Sequence, residues 1–205
     1  MVVGILALQG DFADHAEALA RFGVATREVR GIADLQGLSG LVLPGGESTT
    51  MLKLLAVEGL EQPLAAALQG GIPVLATCAG MILLAEHVEN PAQRSFGLLP
   101  ITVVRNGYGR QLHSGTHALE SPMLPAGTTG TFIRAPRIRA VGPGAEVLAW
   151  RDGDPVLVRK GLILAACFHP ELQPHHPVTA MFVEMVREAQ ALSAPSCNSP
   201  TPAAR

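Results

Sequence analysis

The chain has 205 residues, room for one domain with a sizeable core, and 48% of them are hydrophobic against 16% charged. A formal net charge of -2, with no basic stripe, excludes a nucleic-acid footprint. The cysteines Cys78, Cys167 and Cys197 are odd in number, which favours a reducing compartment over a disulfide framework.

Residues 2–8 are an apolar run without a basic flank, too short for a membrane span and wrong for a signal peptide. They read as the first buried strand of a cytoplasmic protein. A helix is expected over 11–22, with Phe12, Ala16 and Leu19 on one face and Gly23 as its stop. Strands are expected at 24–29 and 41–43. Ser48 or Thr49 then caps a helix whose Met51, Leu54 and Leu55 share a face, and a further helical stretch spans 60–68. A strand at 72–76 leads into Thr77-Cys78-Ala79-Gly80, after which 79–85 reads as a helix start. The near-continuous apolar strands suit a parallel sheet covered on both faces.

The back half differs. Short β-type runs at 98–104, 129–133, 146–150, 155–159 and 162–168 are punctuated by Gly and Pro, as in Gly142-Pro143-Gly144, and imply antiparallel hairpins. A last helix over 177–192 has Val178, Met181, Phe182, Met185, Val186 and Ala189 as its inner face. Residues 193–205, rich in Ser, Pro and Ala, read as a disordered tail, with Cys197 incidental. The domain is therefore expected to span 1–192.

Chemistry concentrates in three segments. A cysteine on a sharp strand-to-helix turn needs small neighbours, which Ala79 and Gly80 supply, and the helix start favours a thiolate. His169 follows a buried strand and is placed to accept the thiol proton. Glu171 lies on the same side as His169 if that segment is extended, and would orient the imidazole. Cys167 lacks such a turn and reads as core. His15, His87, His113, His117, His175 and His176 compete with His169 for a catalytic role. A metal reading of His169, His175 and His176 lacks further ligands at suitable spacing. Finally, Pro44-Gly45-Gly46-Glu47-Ser48-Thr49-Thr50 follows a strand and opens a helix, a setting for an oxyanion hole shared with the Ala79 N–H. No lysine follows the glycines, so a Walker-type loop does not fit.

Taken together, these segments resemble the class I, or triad, glutamine amidotransferase family. The resemblance rests on Gly4-Ile5-Leu6-Ala7-Leu8-Gln9-Gly10, the Gly-Gly-Glu-Ser-Thr-Thr loop, Thr77-Cys78-Ala79-Gly80-Met81, Arg105-Asn106 with Gly109-Arg110-Gln111, Phe132-Ile133-Arg134-Ala135-Pro136, and Phe168-His169-Pro170-Glu171-Leu172. The fifth of these, with the loop, points to the vitamin B6 branch. Ala76 stands where the family usually has Gly.

The resemblance implies a single three-layer α/β domain, flavodoxin-like, with a mostly parallel central sheet, helices on both faces and extra antiparallel strands in the C-terminal half. It implies hydrolysis of L-glutamine to L-glutamate and ammonia through Cys78, His169 and Glu171. Gly46, Glu47, Ser48, Arg105, Ile133 and Arg134 would line the glutamine site, with Gly46 and Ala79 as oxyanion donors. No metal or organic cofactor is implied. The implied partner is a (β/α)8 synthase subunit that makes pyridoxal 5′-phosphate, docking at Gln9 and Gly10. The alternatives are a triad glutaminase serving another complex and a catalytically silent regulatory subunit.

Overall fold

The computed structural model describes residues 1–108 and 114–193. Arg110, Gln111, His113, Cys197 and nearly all of the expected tail lie outside the described residues.

Five parallel strands form the centre of the molecule: β1 (Val2–Leu6), β2 (Ala25–Val29), β3 (Gly40–Leu43), β4 (Val74–Thr77) and β12 (Ile163–Ala166). Two antiparallel strands, β10 (Glu146–Arg151) and β11 (Asp154–Lys160), extend the sheet, giving the order β10-β11-β12-β4-β3-β1-β2. The strand order reverses at β1, which pairs with both β2 and β3. Right-handed crossovers that run in opposite directions from β1 put their helices on opposite faces. Accordingly α1 (Phe12–Ala20) touches α5 (Pro177–Ser193), while α2 (Ser48–Val57) touches α3 (Glu61–Gln69) and α4 (Ala79–Leu84). This is the expected three-layer arrangement. Among the described residues no helix is long and apolar enough to cross a membrane.

The central strands β3 and β4 are buried at every position, as expected of strands covered on both faces. Gly40 is where α5 presses closest: a Cβ there would lie 2.7 Å from Val186. In α5 the buried positions are Val178, Thr179, Phe182, Val183, Met185 and Val186, whereas Met181 and Ala189 are only half-buried.

Several expectations are corrected. The first strand ends at Leu6, because the chain must turn there to deliver Gln9 and Asp11 to the sheet edge. Glu47, not Ser48 or Thr49, caps α2: its carboxylate accepts from the Thr50 N–H at 2.8 Å. Ser48 is instead the first helical residue, its hydroxyl donating to Gln93 at 2.9 Å. Leu52, rather than Leu54, joins Met51 and Leu55 on the buried face of α2. On α1 the buried residues are His15, Ala18 and Leu19, with Phe12 and Ala16 only partly covered. The helix after Cys78 is six residues long and gives way at once to β5 (Ala85–Glu89).

The sequence reading omits three strands. They are β5, β7 (Gly115–Ala118) and β9 (Arg137–Val141), which pair with β6 (Leu99–Val104) or β8 (Thr129–Phe132) in two small sheets. β7 and β9 are short and mostly solvated, so their apolar alternation is weak.

Candidate active site

Ligands of open α/β sheets bind beyond the carboxyl ends of the strands, where the strand order reverses. The loops after β1, β3, β4 and β12 all end at that edge here. They surround a cavity of about 410 Å³ lined by Gln9, Asp11, Gly46, Glu47, Ser48, Cys78, Ile82, Arg105, Asn106, Ile133, Arg134, Pro136 and His169.

Cys78 sits between β4 and α4 with φ 46° and ψ −103°, a conformation that costs free energy for a residue with a Cβ. Its surroundings enforce it. The Cys78 N–H donates to Ala166 O of β12 at 2.8 Å, and the Gly80 N–H donates to Pro44 O at 3.0 Å. A Cβ on Gly80 would lie 2.0 Å from Leu43 O, so only glycine permits this approach of helix to strand.

His169 emerges from β12 and is tied to β8 by its N–H, which donates to Thr131 O at 2.8 Å. Gly45 leaves space for the ring: a Cβ there would be 2.4 Å from His169 Cε1. The segment after His169 is not extended. Pro170–Leu172 forms a 3₁₀ turn, and that turn, rather than strand alternation, brings Glu171 Oε1 within 2.7 Å of His169 Nδ1.

The electrostatics follow from this geometry. Burial disfavours ionised Glu171, but the charge and hydrogen bonds of His15 and His169 outweigh it and hold the carboxyl well below the usual range. A carboxylate only accepts, so the nitrogen of His169 facing it carries hydrogen and Nε2 is left to act towards Cys78. Burial also opposes a charged His169. Its hydrogen bonds to Cys78 and Glu171 and the charges beside it prevail, and its pKa is raised to about 10. Cys167 is fully buried, and burial pushes its thiol pKa up, which suits a core residue.

The rim is set by side-chain pairs. Arg105 Nη2 donates to Glu47 Oε1 at 2.6 Å. The other oxygen of Glu47 accepts from Thr49 and Thr50. Burial alone would raise this carboxyl, but those hydrogen bonds bring its pKa down to about 2. The Gln9 side-chain Oε1 accepts from the Glu47 N–H at 2.7 Å. Arg134 adopts φ 44° on the turn after β8, where Ile133 is also exposed. Nearby in sequence, Arg137 and Arg139 pair with Asp154 and Glu89 on the surface instead.

The structure thus brings Cys78, His169, Gln9, Gly46, Glu47, Ser48, Arg105, Ile133 and Arg134 to one cavity. Glu171 lies behind His169, and Gly10 and Ala79 also lie outside the cavity lining. Sequence reasoning did not single out Asp11, whose Oδ2 is 3.4 Å from His169 Nδ1, or the part played by His15. His15 did leave a signal: it interrupts an apolar helical stripe, three residues after Phe12 and four before Leu19. Asp11, His169 and Glu171 present possible metal ligands within 4.8 Å of one another. That use would compete for the Nδ1 that already bonds Glu171.

The model of the SNO glutamine amidotransferase family matches residues 5–188. The chain belongs to this family. The pyridoxal 5′-phosphate synthase subunit PdxT of Koribacter versatilis is 49% identical over 93% of this chain and 98% of its own length. The subunit of the same name from Thermotoga maritima is 46% identical over 91% of this chain and 100% of its own. A crystal structure of a glutamine amidotransferase superposes with a TM-score of 0.85 at 44% identity, covering 91% of this chain and 100% of the other. This amidotransferase therefore has the fold that the sequence resemblance implied. The elbow, the Gly-Gly-Glu-Ser loop and the His-Pro-Glu turn, through which the resemblance was read, converge on one cavity.

Proposed function

We propose that this chain hydrolyses L-glutamine to L-glutamate and ammonia, and passes the ammonia to a synthase subunit that makes pyridoxal 5′-phosphate. The observation that carries the chemistry is Cys78, held at φ 46° beside a histidine whose Nδ1 is 2.7 Å from a buried carboxylate. The relatives' name, pyridoxal 5′-phosphate synthase subunit, supports the partner.

In this mechanism the Cys78 thiol proton rests on His169 Nε2, whose raised pKa favours the thiolate–imidazolium pair, and Cys78 Sγ attacks the side-chain amide carbon. The N–H groups of Gly46 and Ala79 receive the developing oxyanion. Collapse of the tetrahedral species breaks the C–N bond, His169 protonates the departing ammonia, and a glutamyl thioester remains. Water, deprotonated by His169, releases glutamate and restores the thiol. Glu171 keeps the imidazole in the useful tautomer throughout. Arg105 and Arg134 offer cations for the substrate α-carboxylate, and Glu47 an acceptor for its ammonium, with Ser48 and Ile133 completing the wall.

The synthase subunit is proposed to be a (β/α)8 barrel that docks at Gln9 and Gly10. Gln9 holds the Glu47 N–H, so docking there would reach the peptide beside Gly46 and complete the oxyanion hole. The reaction is placed in the cytoplasm.

The test is glutamate release by the purified chain, alone and with the synthase subunit. Activity that rises strongly on addition supports both chemistry and partner. Activity unchanged by the synthase removes the partner, and none in either case removes the function.

A further inference from the structure

His15 belongs to no motif discussed so far, yet it is 2% exposed beneath the catalytic residues. Its Nε2 lies 3.1 Å from Thr77 Oγ1 and 3.4 Å from Glu171 Oε1. Thr77 is the residue immediately before the nucleophile, and Glu171 orients the general base. One imidazole on α1 therefore touches the supports of both reacting groups.

We propose that His15 is a positioning residue of the triad: its Nε2–H ties the Glu171 carboxylate to Thr77 and so keeps His169 aimed at Cys78. The proposal rests on the glutaminase reading of the same site. The chemistry of the contact sets the direction of the proton, because a carboxylate offers no hydrogen and the nitrogen facing it must. An apolar side chain would fill this place in the stripe of α1 with no desolvation cost, whereas a buried imidazole is stable there only through its partners.

Glu171 needs that support. Its Oε1 accepts from His169 and lies 3.4 Å from His15 Nε2, while its buried Oε2 has no hydrogen-bond partner among the described residues. Without His15, the carboxylate would keep His169 as its one close polar partner at Oε1 among the described residues, apart from Asp11's approach to the same ring. A rival acceptor is also close: Asp11 Oδ2 is 3.4 Å from the same Nδ1 of His169, on a side chain 40% exposed. A Glu171 freed to swing would let the imidazole turn towards Asp11 and away from Cys78.

The test compares His15→Ala, His15→Asn and His15→Gln. The glutamine amide nitrogen is as many bonds from Cα as histidine Nε2, and the asparagine one falls short. Two readouts are taken on the folded variants: kcat and KM for glutamate release with the synthase subunit present, and the rate at which iodoacetamide alkylates Cys78, followed on its peptide. The Ala and Asn variants should lose about 10- to 100-fold in kcat, with KM changed less than about twofold, and should alkylate more slowly. The Gln variant should recover most of both. Wild-type kinetics in His15→Ala, or a Gln variant as impaired as Asn at equal thermal stability, would overturn the proposal. Should wild type release no glutamate, and His169→Ala leave the alkylation rate unchanged, the reading of the site fails instead. The Gln and Asn pair decides the matter if His15→Ala does not fold.

Discussion

Cys78, His169 and Glu171 stand on the carboxyl edge of the parallel sheet with exposures of 7%, 3% and 7%, whereas Gly46, Ile133 and Arg134 stand exposed on the rim of the same cavity. The buried end is held by backbone: Cys78 to Ala166, Gly80 to Pro44, His169 to Thr131. At the rim, side-chain pairs such as Arg105 with Glu47 set the geometry. The proposed mechanism puts thiol and proton chemistry at the rigid end and side-chain recognition at the adaptable one, with Gly46 lending an oxyanion donor from the rim. Substitutions at the two ends should therefore separate in kcat and KM.

The largest effect belongs to the nucleophile. Cys78→Ala should lower glutamate release at least about a thousandfold while the far-ultraviolet dichroism stays that of wild type. Glu171→Gln comes next. It keeps the shape but no longer enforces the His169 tautomer, and kcat should fall about 100-fold or more with KM nearly unchanged. At the rim, Arg134→Ala should do the reverse, raising KM about tenfold and leaving kcat within a few-fold. A loss of kcat alone in Arg134→Ala would erase the proposed division.

The smallest effect is on stability against pH. His169 is raised from 6.5 to about 10, so its contribution is complete below pH 6.5 and fades as pH rises through about 10. Glu171 is lowered from 4.5, so its contribution is complete above pH 4.5 and fades as pH falls below it. Thermal midpoints should therefore carry a plateau between these limits, and His169→Ala should flatten the alkaline slope.

The same contrast explains what the sequence disclosed. Buried parallel strands are apolar runs bounded by glycine, so β1, β3, β4 and the Cys78 elbow were legible. The residues after β12 were legible as chemistry, but not their geometry: the 3₁₀ turn that joins His169 to Glu171 is set by Pro170 and by packing, not by periodicity. Capping by Glu47 was hidden because three residues in a row, Ser48, Thr49 and Thr50, are better cap formers by type. β9 was hidden because a neighbour from distant sequence, β6, makes it a strand, and β7 because its four residues carry little apolar alternation. His15 was visible only as a polar break in an apolar stripe. What it touches depends on α1 packing over a turn more than 150 residues later.

The most direct test of the central claim is to mix the chain and its synthase subunit with glutamine, quench in acid during turnover, and weigh the peptide that contains Cys78. A glutamyl adduct on Cys78, absent from Cys78→Ala, is the predicted result. Steady glutamate release with Cys78 unmodified at every quench time, and persisting in Cys78→Ala, would contradict it.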